Sequence, residues 1–280
     1  MKTIKLIALC LSVIIIAGVF FPSCKKKETT NKYSYRSAQD NATAEAIFSR
    51  SYNQISKASR QVGSKSSDTT IAGCPTLYIS GTWPQLHLDI DFGTGCLGDD
   101  GITRRGQINT ILTGLYVDSN SVVTSTFNNY YETINGVDHK IQGTQIIKNL
   151  GHNQAGHPYF SVDVQNASIT FAEGTINYTS QRQNEWISGY NTYMNPFDDE
   201  YNVTGTANGT DISGAAFTCT ITSPLLCKFC TSIYSWIVAS GKLDIENPGY
   251  PTITVDYGDG SCDWTIYVTI NGTTYTIVYV

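Results

Sequence analysis

WTIYVTINGTTYTIVYV, residues Trp264–Val280, is the stretch that decides the fold, because it carries Asn271-Gly272 at its middle. Asn-Gly suits a type I′ turn, in which both central residues need positive φ. Pairing Ile270 with Thr273 places Ile266, Val268 and Ile270 on one face with Tyr275, Ile277 and Tyr279. The opposite face then holds Thr265, Tyr267, Thr269, Thr274 and Thr276. Alternation of this kind on both arms of a tight turn predicts a half-buried β-hairpin, and a one-residue slip would exchange its faces.

The same vocabulary continues upstream. Asn135-Gly136 and Asn208-Gly209 lie between runs rich in Thr, Tyr and Val, which predicts two more hairpin turns. Strands are expected over 85–92, 101–116, 121–134, 137–149, 158–171, 174–188, 200–207, 212–222, 233–246 and 251–257. Their short connections favour antiparallel neighbours, since parallel strands need crossovers of about a dozen residues. The expected class is mainly all-β: a long antiparallel meander forming a curved sheet or a sandwich, either one domain over 40–280 or two fused β units. Between Asp40 and Val62, Ala44, Ile47, Phe48, Ile55, Ala58 and Val62 recur at helical steps, with Tyr52 on the same side. One N-terminal amphipathic helix is therefore expected to dock a face on the sheet, with Asp40 or Asn41 as its cap.

The N-terminus is of another kind. Lys2 and Lys5 precede an uncharged run, Leu6 to Phe21, which ends at Ser23-Cys24 and is followed by Lys25-Lys26-Lys27. A basic start, an apolar segment and a small residue before the cut make a secretory signal. The run is 16 residues long, short of the roughly 18–20 that cross a bilayer. The stretch resembles a bacterial lipoprotein signal, in which the cysteine after the cut receives a diacylglycerol thioether and a further acyl chain such as palmitate. That resemblance implies a signal peptide over 1–23 and lipidation of Cys24, and the polar residues that follow predict a flexible tether over 24–39. It departs from the family pattern at Phe21, where Leu is preferred, and at Pro22.

Composition narrows the partners. The chain from Cys24 on has 257 residues and a formal charge of −7, from 16 basic against 23 acidic residues. Nucleic-acid binding, which needs a basic stripe or patch, is not expected. Six cysteines remain after Cys24, and an even number in an exported chain predicts disulfides. Cys74 with Cys96 is the expected first pair. Cys262 with one of Cys219, Cys227 and Cys230 is the second, Cys230 being the choice.

Leu88-Asp89-Ile90-Asp91-Phe92-Gly93-Thr94-Gly95-Cys96 is echoed by Ile253-Thr254-Val255-Asp256-Tyr257-Gly258-Asp259-Gly260-Ser261-Cys262. Two similar glycine turns, each stapled by a cysteine, or a duplication of one β unit would account for the echo. These stretches, with STFNNYY and VTGTANGT, resemble a β-rich family of Bacteroidota-type envelope lipoproteins of unknown activity. The resemblance covers most of residues 40–280 and brings no catalytic residues. It implies an envelope location at the outer membrane, on its periplasmic or surface face.

Side chains with chemical potential are scattered. Cys227-Lys228-Phe229-Cys230 is a CxxC, but a redox site needs it at a helix N-terminus and a zinc site needs a second close pair. Asp256, Asp259 and Asp263 beside Gly258 and Gly260 suggest calcium without matching an EF-hand, and Asp99-Asp100-Gly101 reads alike. His152 and His157 share a Gly- and Pro-framed loop with no neighbouring carboxylate or cysteine in sequence. Glu185 and Asp198-Asp199-Glu200 would serve a glycosidase only if two carboxyls faced each other across a sugar. Trp83, Trp186, Tyr190 and Tyr193 would line a binding groove or pack in the core. No catalytic residue, metal ligand or cofactor is assigned. The expected role is non-enzymatic binding or structure, with a surface hydrolase of glycan or peptide and a carrier of a lipid or apolar ligand as alternatives. The partners are the membrane, through Cys24, and a glycan, protein or apolar ligand.

Overall fold

The helix read from the 40–62 spacing starts four residues early: α1 spans Arg36–Val62 in the computed structural model, which describes residues 35–63 and 69–279. Cys24, the signal segment and most of the tether lie outside the described residues. Asp40 is not the cap. It sits inside the first turns, bonded to Arg36, and its Oδ2 accepts from the Ile212 amide at 2.9 Å, which ties the helix start to the sheet.

Fifteen strands follow among the described residues. The first eight are β1 (Thr69–Ile71), β2 (Thr76–Thr82), β3 (Gln85–Asp91), β4 (Cys96–Leu97), β5 (Thr103–Leu112), β6 (Val122–Ile134), β7 (Val137–His152) and β8 (Pro158–Phe171). The rest are β9 (Gly174–Ser188), β10 (Glu200–Thr210), β11 (Ala216–Cys230), β12 (Ser235–Glu246), β13 (Ile253–Asp259), β14 (Thr265–Ile270) and β15 (Thr273–Val278). They form one antiparallel sheet in chain order, with only the two-residue β4 off the path, paired to β5. The meander is a curved sheet rather than a sandwich, and α1 lies against its concave face.

Curvature has a local cause. Register shifts interrupt β5/β6, β6/β7, β7/β8, β8/β9, β10/β11 and β12/β13. At these shifts stand Gly106, Asn129, Gly143, Asn166, Gly205 and Gly241, all with positive φ. Each bulge adds a residue to one strand, bends it and increases its twist. Repeated across neighbouring strands, the bulges bend the whole sheet toward the helix.

The wrap changes what the helix buries. The spacing predicts one docked face, whereas Ala38, Ala42, Ile47, Ile55 and Val62 are buried together with Asn41, Arg50, Ser51, Ser56 and Ser59. Phe48 stacks on Tyr178 of β9, with ring centroids 5.6 Å apart, and Tyr52 meets Tyr201 of β10 edge-on at 5.3 Å. Polar positions that would face water on a one-sided helix face sheet here.

At the C-terminus Ile270 pairs with Thr273, and Ile266, Val268, Ile270 and Tyr279 are buried while Thr274 and Thr276 are exposed. Asn135-Gly136 makes its turn, with φ 50° and 78° and Ile134 paired to Val137. Asn208-Gly209 does not: both residues lie inside β10, opposite Thr179 and Tyr178. The chain reverses after Thr210 instead, where Asp211 Oδ1 accepts from the amides of Ser213 and Ala215 and Gly214 takes φ 84°. An aspartate that bonds its own following amides builds a turn, and here it outcompetes the Asn-Gly signal.

Candidate functional site

Three ion-pair clusters fasten the buried helix to the sheet. In the first, Arg50 Nε donates to Glu132 Oε2 at 2.9 Å, Arg104 Nε donates to Glu132 Oε1 at 3.1 Å, and both Arg104 Nη groups grip Asp100 at 2.6 and 2.7 Å. Burial opposes ionisation of Asp100, but Arg104 overrides it and holds the carboxyl below its usual range. In the second, Glu45 pairs with Arg182 and accepts from the Tyr178 hydroxyl at 2.6 Å. The third closes the C-terminal end of α1: Arg60 Nη2 donates to Asp199 Oδ2 at 2.7 Å, Trp186 Nε1 donates to Asp199 Oδ1 at 3.1 Å, and Tyr201 adds its hydroxyl at 3.2 Å. Burial nevertheless pushes the Asp199 carboxyl up to about 6.

The third cluster reaches the surface through aromatic rings. Arg60 lies 4.7 Å over Trp186, Tyr190 stands edge-on to Trp186, and the His157 ring is 5.9 Å from Tyr190. His157 ends the loop between β7 and β8, which Asn153 holds by accepting from the amides of Ala155 and His157, both at 3.0 Å. Glu185 of β9 then bonds His157 Nδ1 at 2.8 Å and Asn153 Nδ2 at 2.7 Å. The bonds from His157 and Asn153 hold the Glu185 carboxyl below its usual range. Both side chains are half-buried, about one quarter exposed at 28% and 26%. This His–carboxylate pair on an aromatic footing is the candidate functional site. A carboxylate on Nδ1 fixes the ring and its tautomer and turns Nε2 to partner or proton.

The sequence reading placed His157 without a carboxylate, and that is corrected: its partner is 28 residues downstream, brought alongside because β8 and β9 pair Tyr159 with Glu185. Of the Asp198-Asp199-Glu200 run considered opposite Glu185, Asp199 serves a different place. Glu185 is at the surface with His157, while Asp199 is turned inward to Arg60. Trp83, Trp186, Tyr190 and Tyr193 do not share a groove either, since Trp186 is buried and Trp83 is exposed in the turn after β2. The Tyr193 hydroxyl instead donates to the Arg60 carbonyl at 3.0 Å.

Disulfides join Cys74 to Cys96 and Cys230 to Cys262, with Cα separations of 5.8 and 5.5 Å. Cys219 and Cys227 are free and buried, and burial pushes both thiols up to about 12. The CxxC is thus divided between a bridge and an interior thiol. Asp256, Asp259 and Asp263 each spend Oδ1 on a nearby amide, of Gly258, Ser261 and Thr265 respectively. Among the described residues no three His, Cys, Asp or Glu side chains converge to hold a metal, and no helix is long and apolar enough to cross a membrane. The sequence reading missed Arg50, Arg60, Arg104 and Arg182, although two of them sit within the helix spacing it identified. No protein-family profile, curated protein or solved structure matches this chain.

Proposed function

We propose that the chain is a lipid-anchored envelope protein of the Bacteroidota type, held at the outer membrane through Cys24, whose β domain has a non-enzymatic binding or structural role. The observation that carries the second half is the filling of the sheet's concave face by a covalently continuous helix. Small-molecule sites are usually clefts of several hundred Å³, whereas the cavity beside α1 measures about 40 Å³. That size speaks against a lipid or apolar ligand held beneath the helix.

The first half rests on the apolar run ending at Ser23-Cys24, the triple lysine after it and the family resemblance. Two lipid chains on one residue make a stable anchor, and lysines beside it are drawn to anionic headgroups. The His157–Glu185 rim, with Tyr190 beside it, is the part of the surface best suited to contact a glycan or protein, since it combines a flat aromatic with polar hydrogen-bonding groups. Cells given an alkyne palmitate should label the wild type and not Cys24→Ala, and Cys24→Ala should leave the membrane fraction. Equal labelling of the two would refute the anchor.

A further inference from the structure

Strands β12 to β14 border a cleft of about 500 Å³, lined by Lys242, Asp256, Asp259, Asp263, Thr265 and Tyr267 among others. That volume is within the range of small-molecule sites, unlike the space beside α1. Asp256 stands between buried Val255 and Tyr257, and Tyr267 between buried Ile266 and Val268, so both face away from the helix. Tyr267 is 43% exposed, and Asp259 and Asp263 are exposed as well. Lys242 lies opposite Asp256, and Asp256 opposite Tyr267, so ammonium, carboxylate and ring come side by side. The lining is also held in place. Lys242 Nζ donates to Asp256 Oδ2 at 2.9 Å, and the Ser261 and Thr265 amides fix Asp259 and Asp263 through Oδ1 at 3.1 and 2.8 Å.

We propose that this cleft is a saccharide-binding site, and that with the His157–Glu185 rim it holds one extended neutral glycan across the outer face of the sheet. The inference rests on the binding role proposed above for the β domain. Sugar hydroxyls both donate and accept, which matches a lining of one ammonium, several carboxylate oxygens and a hydroxyl. The C–H face of a sugar ring packs on a flat aromatic such as Tyr267. Among the described residues no three acidic, imidazole or thiol side chains converge on a metal, and an organic cation would meet the Lys242 ammonium. Glu185 also faces outward, between buried Asn184 and Trp186. It lies opposite Asn202 of β10, and Asn202 opposite Leu226 of β11. On that same β11, Ser223 lies opposite Lys242. Rim and cleft therefore stand toward the same end of the sheet, and from β9 to β13 is four strand steps, about 19 Å. A short oligosaccharide spans that length, and its second contact forms at the high effective concentration set by the first.

Calorimetry of the mature protein in detergent, with maltohexaose, cellohexaose, xylohexaose and mannohexaose and the disaccharide of each, tests this. At least one hexasaccharide should bind, and more tightly than its disaccharide. Tyr267→Ala should weaken both by about tenfold. Asp263→Asn, whose Oδ1 still accepts from the Thr265 amide, should weaken both as well, whereas His157→Ala should weaken only the hexasaccharide. Failure of all four hexasaccharides to bind would overturn the proposal. So would a bound hexasaccharide whose affinity either the two cleft variants or His157→Ala leaves unchanged. Loss in His157→Ala alone would keep the binding role at the rim and remove the cleft, and palmitate labelling judges the anchor separately. Melting curves check each variant's fold, and if Tyr267→Ala does not fold, Asp263→Asn decides.

Discussion

At the residue scale, the unusual feature is where charge has been put. Arg50, Arg104 and Glu132 are fully buried, and Asp100, Arg60, Asp199, Glu45 and Arg182 nearly so. Such clusters contribute little net stability over well-packed apolar residues, yet removing one partner typically costs about 3–5 kcal/mol, because the other charge is left uncompensated. Asp199 adds a pH dependence. Its folded pKa, about 6, lies above the ordinary 3.8, so between those values the folded state holds a proton that the unfolded chain has released. The contribution is therefore fully present below about pH 4 and lost as pH rises through 6. Urea melts of wild type and Asp199→Asn from pH 7 to pH 4 should show the wild type gaining about 1–3 kcal/mol on the variant. A pH-independent difference would mean that Asp199 is ionised throughout with Arg60.

At the scale of elements, the hairpin and the bulges make separate demands on the backbone. Val268 is completely buried, and Thr269 on the other face bonds Thr274 by its hydroxyl at 2.9 Å. Val268→Asp should therefore cost clearly more than Thr269→Asp, since only the first buries a carboxylate without a partner. Gly272 has φ 76° and open space around it, so Gly272→Val pays backbone strain alone, about 1–3 kcal/mol. Gly205, at a bulge, has φ 122°, and a Cβ there would come within 2.1 Å of the Gln181 carbonyl oxygen. Gly205→Ala must move one strand off the other and should destabilise more than Gly272→Val. Thermal melts of the four variants rank these effects, and equal losses for Val268→Asp and Thr269→Asp would contradict the register.

For the whole molecule, the two disulfides act where the meander is thinnest. Cys74–Cys96 spans 22 residues near the first edge and Cys230–Cys262 spans 32 near the last strands. Loop entropy suggests about 3–4 kcal/mol from each, by constraining the unfolded chain. Non-reducing mass spectrometry should find these two linked peptide pairs. Titration of a chain starting at Lys25 should find Cys219 and Cys227 unreactive until guanidinium unfolds it, then two free thiols. Paired Ser variants, Cys74→Ser with Cys96→Ser and Cys230→Ser with Cys262→Ser, should each melt several degrees lower.

What was legible in the sequence was whatever local chemistry dictates. Period-two alternation around Asn271-Gly272, helical spacing over 40–62 and strand runs such as 158–171 and 174–188 are set by backbone propensities and by neighbours a few residues apart. The Asn208-Gly209 turn failed because Asp211, three residues on, competes for the same reversal. Whether α1 would dock one face or be wrapped depended on bulges in several strands adding up, and no single Gly or Asn reveals a sum. The pairing of His157 with Glu185, of Arg60 with Asp199 and of Glu45 with Arg182 likewise came only with the tertiary structure. Each joins side chains 28 to 139 residues apart, and sheet register and helix placement, not spacing along the chain, set those distances.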